Sequence, residues 1–227
     1  MRGNPPSPRA IDSRARVLDA ALRCVARFGL AKTTVEDIAR EARLSRATLY
    51  RLFPGGRDEI VVTMTEREVA AYFAGLAASL EGVDDLTELL VAAMTTAAEQ
   101  LVVHKALGFV LAHEPELLLP HVSFAELDHV LAAAGSFFGP YLAGVLEAED
   151  ARRVGEWIAR LVLSHFVCPP GAIESSWSDS HTASRDLSAS PFALHAEPLS
   201  PERARWLASK FIVPGIRALT AASSPLN

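Results

Sequence analysis

The 227-residue chain has only two cysteines, Cys24 and Cys168, and they make no C-x-x-C or other metal-ligand spacing. In a reducing compartment this favours two free, buried thiols over a disulfide, and no metal site is expected. Long apolar runs are missing as well. The weakly polar stretches at 89–98 and 101–112 are broken by Thr, Glu, His or Lys, short of the roughly 18 residues of a membrane span. The first twenty residues carry Arg and Pro but no apolar run of about 7 to 15 residues, so no secretory signal is expected and the cytoplasm is the expected compartment. Strand signals are nearly absent, with few period-two runs and few β-branched clusters. Hydrolase letters occur at Ser178, Asp179, Ser180 and His181, but there is no G-x-S-x-G, and nucleophile and base must be neighbours in space. His113-Glu114 lacks the second His of H-E-x-x-H, and His165 with Cys168 is an incomplete ligand set. Neither catalysis nor a cofactor is expected; a helical enzyme using residues 169–200 is the remote alternative.

What the chain does have is a composition of 50% hydrophobic and 22% charged residues, enough to bury a core without disulfides or metal. Its net charge of −5 is unevenly divided. Residues 1–57 hold twelve Arg or Lys against five acids, +7, and the remainder therefore carries −12. The first quarter is suited to a polyanion and the rest to another task, although a solvated basic face would look the same.

Apolar residues recur at steps of three and four over most of the length, which predicts an all-α fold. Residues 1–12 read as a disordered arm. A helix at 13–28 follows, with Leu18, Ala21, Leu22, Val25 and Phe28 on one face and Gly29 as its stop. Thr33 is placed to cap a second helix, with Glu36 three residues on to close a capping box, and Val35, Ile38, Ala39 and Ala42 form its buried stripe. Arg43-Leu44 breaks it. Ser45 caps a third helix, 46–53, with Leu49, Leu52 and Phe53 inward, and Pro54-Gly55-Gly56 ends that helix. A fourth begins near Arg57, with Asp58 and Glu59 at its positive end. Beyond Gly82, helices are expected at 84–103, 104–113, 123–147, 150–167 and 201–220, with the Ser- and Pro-rich 169–200 as a long surface loop.

Two short helices joined by a tight turn, the second exposing Arg46, Thr48, Tyr50 and Arg51, describe a helix-turn-helix, and a plain structural helix pair is the alternative. The run TTVEDIAREARLSRATLYRLFPGGRDEI, residues 33–60, resembles the DNA-binding segment of the tetracycline-repressor (TetR) family of bacterial transcription regulators. T-T-x-x-x-I-A, a short turn, S-x-x-T-L-Y-x-x-F and P-x-G-x-[D/E]-E recur in that family. The resemblance is strong over about 13–80 and carries architecture only beyond Gly82. Arg43 departs from it, standing where Gly is more usual.

The resemblance implies a reading domain at 13–57, a connecting helix at 58–82 and a sensing and dimerisation domain at 83–227. It implies that Arg46, Thr48 and Arg51, on the helix begun by Ser45, face base edges or adjacent phosphates. Thr33 or Thr34, with Tyr50, would hold phosphates, and Arg57 would meet one at a helix N-terminus. Arg2 and Arg9 could reach a minor groove, but a plain tail is the favoured reading. Members of the family dimerise through their last long helices, which implies an interface of Trp157, Ile158, Leu161, Val162, His165, Leu207, Phe211 and Ile212; the alternative buries both faces within one subunit. The middle helices correspond to the family's effector region, where Met94, Phe109, Leu111, Phe137, Phe138 and Tyr141 would line an apolar pocket. His104, His113 or His121 would add a polar contact. The expected partners are thus double-stranded DNA with a palindromic operator, a second copy of the chain and an apolar or amphipathic small molecule. Repression relieved by that ligand is the expectation; an activator or partner-bound co-regulator would use the same fold.

Overall fold

The computed structural model describes residues 8–114, 124–167 and 199–223. Among these every regular element is helical. They are α1 (Pro8–Phe28), α2 (Val35–Glu41), α3 (Arg46–Leu52), α4 (Gly56–Leu80), α5 (Leu86–Val103), α6 (Lys105–His113), α7 (Phe124–Leu142) and α8 (Ala148–Val167). Then α9 (Pro201–Leu207) runs through a π-helical turn (Ala208–Ile212) into α10 (Val213–Ser223). The chain divides into two compact units, Met1–Ala71 with His104–Pro115, and Tyr72–Val103 with Glu116–Asn227.

In the N-terminal unit, α1 starts at Pro8, five residues ahead of the pattern-based start; Pro suits a first turn, where its missing N–H is not needed. Its buried face holds Val17, Leu18, Ala20, Ala21, Cys24 and Val25, while Phe28, expected inside, is exposed. Val35, Ile38, Ala39 and Ala42 are all buried, as their spacing predicts, and meet Leu49, Phe53, Ile60 and Met64 in one core. The cap of α2 differs by one residue from the expectation. Thr34 is the N-cap, its hydroxyl oxygen accepting the Asp37 N–H at 3.2 Å while Asp37 Oδ2 accepts the Thr34 N–H at 3.3 Å. Thr33 and Glu36 therefore play no part in the capping box. At its other end α2 closes as a Schellman motif: Leu44 N–H donates to Ala39 O and Arg43 N–H to Arg40 O, with Arg43 left-handed at φ 54°.

Two arginines of α1 tie down the ends of the following helices. Arg16 donates to Ala42 O at 2.7 Å, and Arg14 donates to Leu52 O while lying over the Phe53 ring. Helix α6, expected to belong with the later helices, packs instead on α1 through Ala106 and Val110.

The second unit gathers the end of α4 with α5, α7, α8 and α9 to α10 around Leu76, Leu90, Met94, Phe138, Leu142, Ile158, Val162 and Ile216. Helix α5 does reach the length and composition of a membrane span, contrary to the expectation, with a mean hydropathy of 1.4. Leu89, Leu90, Ala93, Met94, Ala97 and Ala98 are buried in the unit's own core, which accounts for its apolar character. Helices α7 and α8 approach closely at two glycines. A Cβ on Gly155 would come within 2.9 Å of Phe138 Cβ and 3.0 Å of Gly135 Cα. Helix α7 stops at Leu142, two residues after Pro140 and short of the expected 147. Pro214 and Gly215 stand inside the last helical stretch, and the chain stays helical to Ser223. The turn before Pro214 widens, Val213 N–H reaching back five residues to Ala208 O, which leaves room for a ring that an ordinary turn would crowd.

Candidate nucleic-acid interface

Helix α3 is seven residues long and is started by Ser45, whose hydroxyl oxygen accepts the Thr48 N–H at 3.1 Å and lies 2.9 Å from the Thr48 hydroxyl. Leu49 faces the core, and the opposite side carries Arg46, Tyr50 and Arg51 into solvent. Arg46 is held by Glu36 of α2 through an exposed ion pair of 3.0 Å. The Tyr50 ring lies beside Gly56, where a Cβ would meet Tyr50 Cε1 at 3.2 Å. Arg51 makes no ion pair among the described residues, nor do Lys32 and Arg43, and all three are exposed. Thr34 is exposed at the start of α2, but its hydroxyl donates to Asp37 Oδ2 at 2.5 Å.

Two expected phosphate contacts are corrected by the geometry. Thr33 is 1% exposed and its hydroxyl donates to Gly29 O at 2.6 Å, so that side chain is sealed in the loop between α1 and α2. Arg57 turns its guanidinium inward, donating to Thr33 O at 2.9 Å and to Leu30 O at 2.5 Å. A half-buried guanidinium with two carbonyls to satisfy is a clamp on that loop, not a free cation. Several other basic side chains of residues 1–57 are engaged in ion pairs. Arg23 pairs with Glu41, Arg40 with Asp37, and Arg14 with Glu59. The Arg2 and Arg9 side chains lie outside the described residues.

Sequence reasoning missed the third member of this loop's support. Glu114, just after α6, is 7% exposed, and its Oε2 accepts the Leu30 N–H at 2.6 Å while Oε1 accepts the Ala31 N–H at 3.2 Å. No local pattern marks a partner 84 positions away.

Of the expected effector residues, Met94, Phe137, Phe138 and Tyr141 share the core of the second unit. Phe137 sits 5.1 Å from Phe73, 5.1 Å from Phe138 and 5.4 Å from Tyr141, centroid to centroid. Tyr72 joins the row through Phe73, and burial pushes its phenol up to about 12. His104, Phe109 and His113 belong to the N-terminal unit. His104 caps α6 by accepting the Leu107 N–H at Nδ1, 3.1 Å, and its Nε2 lies 3.4 Å from Glu68 Oε2, while His113 stacks on Phe109. His121 and the Leu111 side chain lie outside the described residues.

The expected dimer seam is corrected at three positions. Ile158, Val162 and Ile212 are at most 3% exposed and fill the second unit's own core, which is the single-subunit alternative realised there. Leu161 and Leu207 are half-buried against that core. Trp157 and Phe211 remain exposed, and an unforeseen third aromatic, Trp206, packs edge-on to Phe211 at 5.1 Å. The stretch 169–198 lies outside the described residues, Ser178 to His181 included, as does Cys168.

With this geometry in view, comparison with known proteins is decisive for the first unit. Residues 17–64, which span most of α1 to the start of α4, match the bacterial regulatory proteins of the tetR family. Over this segment the chain is similar to the tetR family. It is 36% identical over 90 residues to an uncharacterized HTH-type transcriptional regulator of Mycobacterium bovis, covering 40% of this chain and 45% of that protein. A counterpart in Mycobacterium tuberculosis strain CDC 1551 is 39% identical over 59 residues, 26% of this chain and 31% of that one. The chain thus matches less than half the length of these relatives. The fatty acid degradation regulator FadR from Bacillus halodurans is similar in fold, with TM-score 0.54 and 15% identity over 92% of this chain and 96% of that one. So is the TetR family repressor AlkX from Dietzia sp. strain DQ12-45-1b, with TM-score 0.57 and 20% identity over 91% and 97%.

Proposed function

We propose that this chain is a cytoplasmic, homodimeric repressor of the tetR family that reads a palindromic operator through α3 and is released from it by an apolar or amphipathic ligand. One observation carries the reading: α3 follows α2 through a tight turn and directs Arg46, Tyr50 and Arg51 into solvent within the matched domain. A helix so placed fits a major groove, where a forked guanidinium pairs with guanine O6 and N7. Arg46 is the first candidate for base reading. Arg51, Thr48, Tyr50 and Thr34, with the helix start at Ser45, supply the surrounding contacts to bases and phosphates. Thr33 and Arg57 serve this interface from beneath, by shaping the loop that leads into α2.

A palindromic operator needs a two-fold partner, and exposed Trp157, Trp206 and Phe211 are apolar surface on which a second copy can close. For the ligand, the row Tyr72, Phe73, Phe137 and Tyr141 with buried Met94 favours an apolar body. The fold likeness to a regulator of fatty acid degradation and to a repressor implicated in n-alkane biodegradation makes long-chain acids and alkanes the first compounds to try. Release is a shift of population: the ligand must bind better to a dimer whose two heads are wrongly spaced for half-sites about 34 Å apart.

Incubating the protein with fragmented genomic DNA at two salt concentrations, and sequencing what stays bound, tests the reading. A palindrome that survives the higher salt is expected. Binding that is sequence-blind and vanishes with salt would reduce the basic unit to a polyanion surface.

A further inference from the structure

We infer that Glu114 is a positioning residue for DNA recognition: its carboxylate latches the loop between α1 and α2 and so sets where α2 and α3 present themselves to the operator. The inference rests on the operator-binding reading above.

Four observations converge on one short segment. Gly29 is left-handed at φ 85° and ends α1, and a Cβ there would lie 2.3 Å from Glu114 Oε1, so the carboxylate occupies the space that glycine leaves. The next two amides, Leu30 and Ala31, both donate to that carboxylate. Gly29 O accepts the buried Thr33 hydroxyl, and Thr33 leads directly into the Thr34 cap of α2. Arg57 closes the carbonyl side at Leu30 and Thr33. The loop is thereby held on its N–H side by an acid from the end of α6 and on its C=O side by a base from α4.

Chemistry explains why an acid stands there. An N–H pair just beyond a helix end needs an acceptor once water is excluded, and a carboxylate supplies two oxygens in one plane. That use is unexpected on electrostatic grounds. A negative side chain in a unit meant to meet phosphates opposes binding at long range, so its removal by itself should strengthen association with any DNA. The latch demands the reverse for the operator. Because Glu114 neutralises no phosphate, its loss should weaken specific binding while leaving non-specific binding equal or stronger, and should leave the salt slope unchanged.

The test uses the full chain and the palindrome recovered from the genomic selection. Binding to it and to a scrambled duplex is measured for the parent, Glu114→Ala, Glu114→Gln and Gly29→Ala. Glu114→Gln keeps one acceptor oxygen; Gly29→Ala expels the carboxylate from the other side without changing charge. Expected for Glu114→Ala is a loss of at least about tenfold on the operator and none on the scrambled duplex, the energy of charge-assisted bonds to two amides read as a fold-change. Glu114→Gln should recover part of it, and Gly29→Ala should fall as Glu114→Ala does. Hydrogen exchange at the Leu30 and Ala31 amides, slow in the parent and fast in Glu114→Ala, reports the latch directly, and unchanged protection of the α1, α3 and α5 amides shows that the rest of the variant is folded.

Operator affinity unchanged in a folded Glu114→Ala would overturn the inference, as would equal losses on both duplexes. If the parent itself selects no sequence, the regulator reading fails. Amide protection lost only in the variant would then reduce Glu114 to a loop anchor.

Discussion

Arg43 shows how one backbone angle can be used to carry a charge. The second residue past the end of α2 must be left-handed for the Schellman bonds to form, and glycine adopts that angle at least cost. Arginine at φ 54° accepts the strain and leaves an exposed cation with no ion-pair partner among the described residues. Arg43→Gly should therefore raise stability by about 1 kcal/mol in urea titration, where Arg43→Ala does not. Arg46 poses the opposite problem, since its charge is already answered by Glu36. Arg46→Ala is expected to relax sequence preference across an operator set mutated base by base; discrimination equal to the parent's would remove it from base reading.

Among elements, α2 depends on its first residue. The Thr34 hydroxyl, donating to Asp37, holds that carboxyl below the usual aspartate range, with further help from the Thr34 N–H and Arg40. A native value depressed below the unfolded one stabilises the fold above the unfolded value, and the contribution is lost as pH falls through the native one. The urea midpoint of Asp37→Asn should thus lie below the parent's at neutral pH and converge with it in acid. A gap that stayed constant with pH would show that the carboxylate's charge plays no part. The pair α7 and α8 depends instead on an absence of side chain. With Gly135 and Gly155 at their crossing, Gly155→Ala must push against Phe138 Cβ and the backbone of α7, and a loss of about 1 to 3 kcal/mol in thermal unfolding is expected.

For the whole molecule, oligomeric state is the property on which the proposed function turns. Phe211 is 54% exposed and packs against exposed Trp206, so a charge there costs the subunit little and a dimer much. Phe211→Asp should sediment as a monomer and bind the full palindrome far more weakly, while its helical content is kept. A dimer of parental affinity in this variant would place the interface elsewhere.

How much could be read without coordinates followed the range of the interaction. Helices with strong stripes, such as α2 with Val35, Ile38, Ala39 and Ala42, were legible because burial repeats every three to four residues and both partners of that repeat lie in one short segment. Helix α3 was legible for the same reason: Ser45, Arg46, Thr48, Tyr50 and Arg51 are consecutive or nearly so. The cap of α2 slipped by one residue because Thr33 and Thr34 offer the same hydroxyl, and only the burial of the first separates them.

By itself the sequence determined that the chain is all-α, that a helix-turn-helix begins it, and which family that segment resembles. Local periodicity, caps and turn residues act within a few positions and need no fold to be seen. Only the tertiary structure decided which charges are free. Arg57 looks like a phosphate anchor until Leu30 and Thr33 present their carbonyls to it, and Ile158, Val162 and Ile212 look like a dimer seam until their own core covers them. Glu114 has no visible role until the fold brings it, 84 positions from Leu30, to two amides. Such partners are chosen by proximity in space, to which a one-dimensional pattern is blind.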